Sequence, residues 1–212
     1  MTARPTDIDL DPAAYVAKGN GSLVFDHPDD PHTLLKVPRE RTPKKLRRRL
    51  SAALRPDKRR FGKYREWHRE YEEYIAAIRK AGALPHCLPV PRGFVQTSIG
   101  PAFAVEKITD EGSNDMALTV KDYLATHDPE PLRAPLARFF EDVARYRLVF
   151  FDLKLHNQCV VRDASGVPVR VVSIDSIGES TLFKFRRWST TAHSYWLNRE
   201  RRAFMEKVFD AQ

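Results

Sequence analysis

Phe150-Phe151-Asp152-Leu153-Lys154-Leu155-His156-Asn157 places an aspartate and an asparagine five positions apart, and 23 residues past Asp152 a second acid, Asp175, stands in Val171-Val172-Ser173-Ile174-Asp175-Ser176-Ile177-Gly178. Two carboxylates and an amide supply a proton acceptor and hard oxygen ligands of the kind that magnesium prefers. Taken alone, Asp-x-x-x-x-Asn describes a loop whose side chains satisfy nearby backbone groups. Its position gives it weight, directly before a hairpin whose second strand delivers Asp-x-x-Gly. If the spacing is functional, the chain ahead of it has to supply a sheet, a lysine on a strand and a helical frame, and it does so in that order.

At 212 residues, 42% of them hydrophobic and 10% aromatic, the chain can bury a sizeable core. It contains no apolar run of the roughly 18 residues that a transmembrane helix needs. Its start, Met1-Thr2-Ala3-Arg4-Pro5-Thr6-Asp7, lacks the positive-then-apolar layout of a signal peptide, so a cytoplasmic protein is expected. Cys87 and Cys159 form neither a disulfide framework nor a metal pattern and read as reduced core residues. The net charge of +8 is uneven: from Lys36 to Arg69 there are 15 Lys and Arg against three acids, so this segment is +12 and the remainder −4. Such a run is either a solvated helical face or a docking surface for an anionic partner. Only Phe61, Tyr64 and Trp67 interleave it and no nucleic-acid motif is present, which makes nucleic-acid binding a remote alternative.

Alternation and turn residues predict strands at Tyr15–Ala17, Leu23–Phe25 and Thr33–Val37, then at Val90–Thr97 and Ala102–Ile108. Between the two groups lie a helical stretch at Lys44–Leu54 and an amphipathic helix over Gly62–Lys80, with Trp67, Tyr71, Tyr74, Ile75 and Ile78 as its apolar stripe and Gly82 as its stop. Helices are expected at Leu118–Ala125, started by Thr119, and at Pro131–Leu148, with Leu132, Leu136, Phe139, Phe140 and Val143 facing a core. A hairpin follows at Gln158–Arg162 and Val169–Ile174, turned by Asp163-Ala164-Ser165-Gly166, and Lys184–Phe209 reads as a closing helix. The expected fold is therefore α+β, one domain with a five-stranded N-lobe over about 14–108, a connector over 109–117 and a mainly helical C-lobe over about 118–209.

That layout, with the spacing above, is the one by which a kinase-type cleft performs phosphoryl transfer: it holds phosphates still, neutralises their charge and aligns an acceptor hydroxyl. Asp152 is the candidate base or orienting group, Lys154 the stabiliser of the transferring phosphoryl group, and Asn157 and Asp175 the magnesium ligands. Lys36, between apolar residues on a strand, wants a counter-charge or a phosphate and is the candidate for clasping ATP. Glu70 is expected to hold it, with Glu73 as the alternative. Gly19 and Gly21 would let the backbone approach the phosphates, although Gly-x-Gly is equally expected in a hairpin turn, and the Glu106 to Ile108 connector would meet the base. The seven histidines show no ligand spacing and read as surface or capping residues.

Gly93 to Pro101, the Phe151-Asp152-Leu153-Lys154 to Asn157 loop, and Ile174 to Leu182 with Trp188 make the chain resemble the YrbL family, bacterial proteins of the PhoP regulatory network within the protein-kinase-like superfamily. The resemblance covers about Gly19 to Phe209 and implies a kinase-like fold and ATP-dependent phosphotransfer to an acceptor it does not name. Departures from ordinary protein kinases bear on the acceptor. Phe150 and Phe151 stand where His and Arg precede the catalytic aspartate, so the arginine that would bind an activation-loop phosphate is absent. Only 37 residues follow Asp175, with no Ala-Pro-Glu segment, which favours a small molecule or an unusual protein as acceptor. A pseudokinase that senses nucleotide or docks a partner is the alternative from another functional class.

Overall fold

The computed structural model describes residues 7–19, 21–39, 56–179 and 185–210. The helix expected at Lys44–Leu54, much of the basic segment and Ser180–Leu182 lie outside these residues. The described chain gathers into two units, one formed by residues up to His68 with Val90–Lys107, the other by Arg69–Pro89 with the residues from Ile108 onward.

In the first unit, β1 (Ala17–Lys18), β2 (Ser22–His27), β3 (Asp30–Pro38), β4 (Pro91–Thr97) and β5 (Gly100–Glu106) form one antiparallel sheet in the order β1-β2-β3-β5-β4. Because strand side chains alternate, Phe25, Leu35, Val37, Ala102 and Ala104 gather on one face, where Leu10 joins them. The intervening residues face the other way, and there Trp67 packs on Phe94 and Phe103 at ring distances of 5.1 and 6.3 Å. Lys36 lies opposite both Val24 and Phe103, so it projects from the tryptophan face and not into the aliphatic core.

Helix α1 (Pro56–Phe61) and a 3-10 turn (Gly62–Tyr64) precede α2 (Arg65–Ala81), so the α-helix expected from Gly62 begins three residues later. Its buried face also differs from the expected stripe. Trp67 and Tyr74 are buried as expected, but Ile75 and Ile78 are 62% and 45% exposed, and Glu73 and Ala77 take inner positions instead. Glu73 can occupy an inner position because a cation and a backbone amide of the second unit meet it there.

The second unit contains α3 (Val120–Leu124), a 3-10 turn (Glu130–Leu132), α4 (Arg133–Tyr146), the β6 (Gln158–Arg162) and β7 (Pro168–Ser173) hairpin, α5 (Phe185–Trp188) and α6 (Thr190–Phe209). Thr119 caps α3 as expected, accepting from the Asp122 amide at 3.2 Å. The closing helix is not continuous. Ser189 is extended and accepts from the Ala192 amide, which ends α5 and starts α6. Leu136, Phe139, Phe140 and Val143 of α4 meet Trp196, Leu197, Phe204 and Val208 of α6, with Tyr74, Ala77, Val160 and Val171, in one core. Each such side chain contributes about 1.5–3 kcal/mol on burial. His193 belongs to this interior, 2% exposed and bonded to the Leu148 carbonyl at 2.9 Å, contrary to the surface role expected of the histidines.

Five antiparallel strands with a helix between β3 and β4, then a mainly helical unit with one hairpin, give the α+β layout expected from the sequence. Among the described residues no helix is long and apolar enough to cross a membrane.

Candidate active site

The loop that bears Asp152 is shaped by its backbone. Helix α4 ends in a left-handed Arg147, and the chain then runs through Leu148, Val149 and Phe150, all fully buried. Three hydrogen bonds hold Val149 and Phe151. The Val149 amide donates to Glu73 Oε2 at 3.0 Å, the Val149 carbonyl accepts from the Gly178 amide at 2.7 Å, and the Phe151 amide donates to the Ser176 carbonyl at 3.0 Å. The stretch before Asp152 is thus paired directly with the turn that follows Asp175.

Asp152 is partly exposed and meets Lys154 through Oδ2 and Nζ at 2.7 Å. An ion pair at such exposure is worth about 0–1 kcal/mol, so its significance is the joint placement of a base and a cation, not stability. Leu153 between them anchors the loop in the core, and the 3-10 turn Leu155–Asn157 presents the asparagine. Asn157 is buried and donates from Nδ2 to Ser176 Oγ at 2.9 Å, which orients its amide oxygen away from that hydroxyl. Asp175 is exposed and accepts from the Ser176 amide through Oδ1 at 2.7 Å. Ser173 Oγ donates to the Asp175 carbonyl at 3.2 Å.

Ser176 therefore joins the two expected metal ligands, a role that sequence reasoning did not assign. Its φ of 68° is left-handed, a conformation that non-glycine residues adopt sparingly and that clusters at functional turns. The only signal in the sequence was its place inside Asp-Ser-Ile-Gly. Two residues on, Gly178 has φ 92°, and a β-carbon there would lie 2.9 Å from the Arg69 β-carbon and 3.0 Å from its carbonyl oxygen. The expected glycine bend is present, with Ser176 turning the chain first.

An apolar patch adjoins this wall. Ile108, Ala117, Cys159 and Val172 cluster together, with Cys159 on β6 directly after the turn that carries Asn157. The Ile108 carbonyl accepts from the Ala117 amide at 2.9 Å. Burial pushes the Cys159 thiol up to about 12, so it serves as a small apolar residue. The connector is tied to the hairpin by Asp110, which accepts from the Arg162 amide at 2.8 Å and from its guanidinium at 2.9 and 2.5 Å.

The remaining expected residues are distributed between the units. Gly19, Gly21, Lys36 and Glu106 belong to the first and Glu70 to the second. The Gly19 amide donates to the Ser22 carbonyl, which closes the β1–β2 turn. A β-carbon at Gly21 would meet the Glu66 carboxylate, the mobile end of its side chain, so that carboxylate lies directly over this glycine within the first unit. Glu66 lies one turn before Glu70 on the same face of α2 and was not singled out from the sequence. The Glu106 carboxylate accepts from the Val90 amide at 2.8 Å, so its side chain supports the start of β4. Glu73, the alternative partner of Lys36, is instead paired with Arg187 at 2.5 Å. Burial pushes its carboxyl up and Arg187 pulls it back.

No curated protein matches the chain. Among solved structures, a 2.2 Å crystal structure of WbdD is similar at 16% sequence identity and a TM-score of 0.45, over 85% of this chain and 35% of that one. The chain thus spans about a third of WbdD. The family model for the PhoP regulatory network protein YrbL matches residues 8–209. That match takes in both units and every residue of the site just described, and the chain belongs to the YrbL family of PhoP regulatory network proteins.

Proposed function

We propose that this chain is an ATP- and magnesium-dependent phosphotransferase. The observation that carries the reading is the linkage of Asp152, Lys154, Asn157 and Asp175 through one loop and one turn, with Ser176 bonded to both expected metal ligands. Asp152 would orient the acceptor hydroxyl and take its proton, while Lys154 offsets charge on the phosphoryl oxygens. The Asn157 amide oxygen and Asp175 Oδ2 are hard ligands that fit magnesium, which commonly takes one or two protein oxygens and completes its shell with phosphate and water. Magnesium held by these oxygens would supply charge neutralisation to the nucleotide phosphates. Lys36, in the first unit, is suited to the phosphates.

The acceptor would be a small molecule or an unusual protein. The test is release of labelled phosphate from γ-labelled ATP with magnesium, alone and with candidate acceptors, against Asp152→Ala. Turnover in the native protein with a loss of about 100-fold or more in the variant is expected, on the scale of general base catalysis. Equal rates in the two would refute the assignment.

A nucleotide-sensing module without turnover is the second reading. What favours it is the abbreviated glycine turn, whose Gly21 is packed against Glu66. It predicts magnesium-dependent binding of ATP that raises the melting temperature, with no phosphate released.

A further inference from the structure

Two consecutive arginines on α5, Arg186 and Arg187, reach the backbone just ahead of Asp152. Arg186 donates from Nε to Glu179 Oε1 at 2.9 Å and from Nη1 to the Phe150 carbonyl at 3.1 Å, with its guanidinium 5.0 Å from the Trp196 ring centre. Arg187 pairs with Glu72 and, at 2.5 Å, with Glu73, whose other oxygen accepts from the Val149 amide. Together with the Gly178 and Ser176 contacts, four polar backbone groups of Val149 to Phe151 are held from two sides. One side is the Asp175 turn. The other is a set of three ion pairs.

The charges involved are shielded: side-chain exposure is 17% for Arg186 and 2% for Glu179, 15% for Arg187 and 4% for Glu73. At such burial a charged pair is strongly destabilised when one partner is removed, because the other is left uncompensated. In a switchable kinase loop, an added phosphate supplies the anion that an arginine needs. Here both arginines come with carboxylates of the same chain.

We infer that Arg186 and Arg187 are positioning residues that hold the Asp152 loop in its working geometry permanently, with Glu179 and Glu73 standing where a regulated loop would require a phosphate. The arginine absent beside Asp152, where Phe151 stands, is thereby replaced from α5. Assembly of the site is then constitutive, and control over this protein acts through its amount or its substrate, not through phosphorylation of the loop. This rests on the phosphotransferase reading for its kinetic consequence, but the clamp itself is a statement about the backbone.

Two readouts keep them apart. Amide hydrogen exchange at Val149 and Phe151 is compared in the native protein, Arg186→Met, Arg186→Lys and Glu179→Gln, each checked for folding by circular dichroism. Release of phosphate from ATP is measured on the same samples and on native protein treated with a phosphatase. Arg186→Met and Glu179→Gln are expected to speed exchange and lower kcat about tenfold, the scale of one charged hydrogen bond, with KM for ATP within about twofold. Arg186→Lys should recover part of both, and phosphatase should change neither. Unchanged exchange in folded Arg186→Met and Glu179→Gln overturns the clamp, and so does a rise in KM with kcat unaltered. Loss of activity on phosphatase treatment overturns its constitutive character. A native protein without turnover removes the phosphotransferase reading, while exchange alone still decides whether the clamp exists.

Discussion

At Lys36 the backbone register does what the residue alone could not. Its cross-strand partners Val24 and Phe103 place it on the tryptophan face of the sheet, away from Leu35 and Val37 in the aliphatic core. If that ammonium clasps phosphates, Lys36→Ala should weaken ATP binding by about 1–3 kcal/mol while the fold survives, as read by calorimetric titration. Unaltered affinity would remove Lys36 from the site. Gly178 calls for a different test. Its positive φ and the Arg69 atoms at 2.9–3.0 Å leave no room for a methyl group, so Gly178→Ala should cost about 1–3 kcal/mol in urea unfolding, through strain and overpacking. A smaller loss would show that the Arg69 backbone yields. The loop and turn that carry Asp152, Asn157, Asp175 and Gly178 were legible in the sequence because their pattern is local. Ser176 was not, since nothing in a sequence marks a serine as left-handed.

Elements followed their patterns where burial was apolar and departed where it was ionic. The strands and the hairpin obeyed alternation, and Thr119 began its helix as its side chain predicts. In α2 the apolar period found Trp67 and Tyr74 but also pointed to Ile75 and Ile78, whose inner positions go to Glu73 and Ala77. The compensating cation, Arg187, lies 114 residues away in sequence, so no periodicity could reveal it. The break at Ser189 has a local cause that was readable, a serine three residues before the amide it caps. Ser189→Ala should lower thermal stability by about 0.5–2 kcal/mol, measured by calorimetry. No change would mean that α5 and α6 are separated by packing instead.

For the molecule as a whole, pH exposes a cost hidden in the core of the second unit. Burial lowers the affinity of His193 for a proton, its bond to the Leu148 carbonyl works in the opposite direction, and Arg147, Lys80 and Arg186 lower it further. The folded state therefore binds a proton less readily than the unfolded chain, whose histidine titrates near 6.5. The stability it contributes is complete above that value and is lost as pH falls below it. Urea midpoints measured from neutral to mildly acidic pH should decline, and His193→Gln should flatten the decline. Equal slopes would assign the acid sensitivity to other groups. Composition made a large core legible but gave no hint that a histidine would sit in it, because that depends on a carbonyl 45 residues away.

The tryptophans give each unit an optical voice of its own. Trp67 is buried against Phe94 and Phe103 in the first unit, Trp196 is buried beneath Arg186 in the second, and Trp188 is 72% exposed. Replacing Trp188 with phenylalanine removes the solvent-facing emitter and leaves one indole reporting on the sheet and one on the helical unit. Single-tryptophan versions of that protein would then show by fluorescence whether the two halves melt together or in sequence.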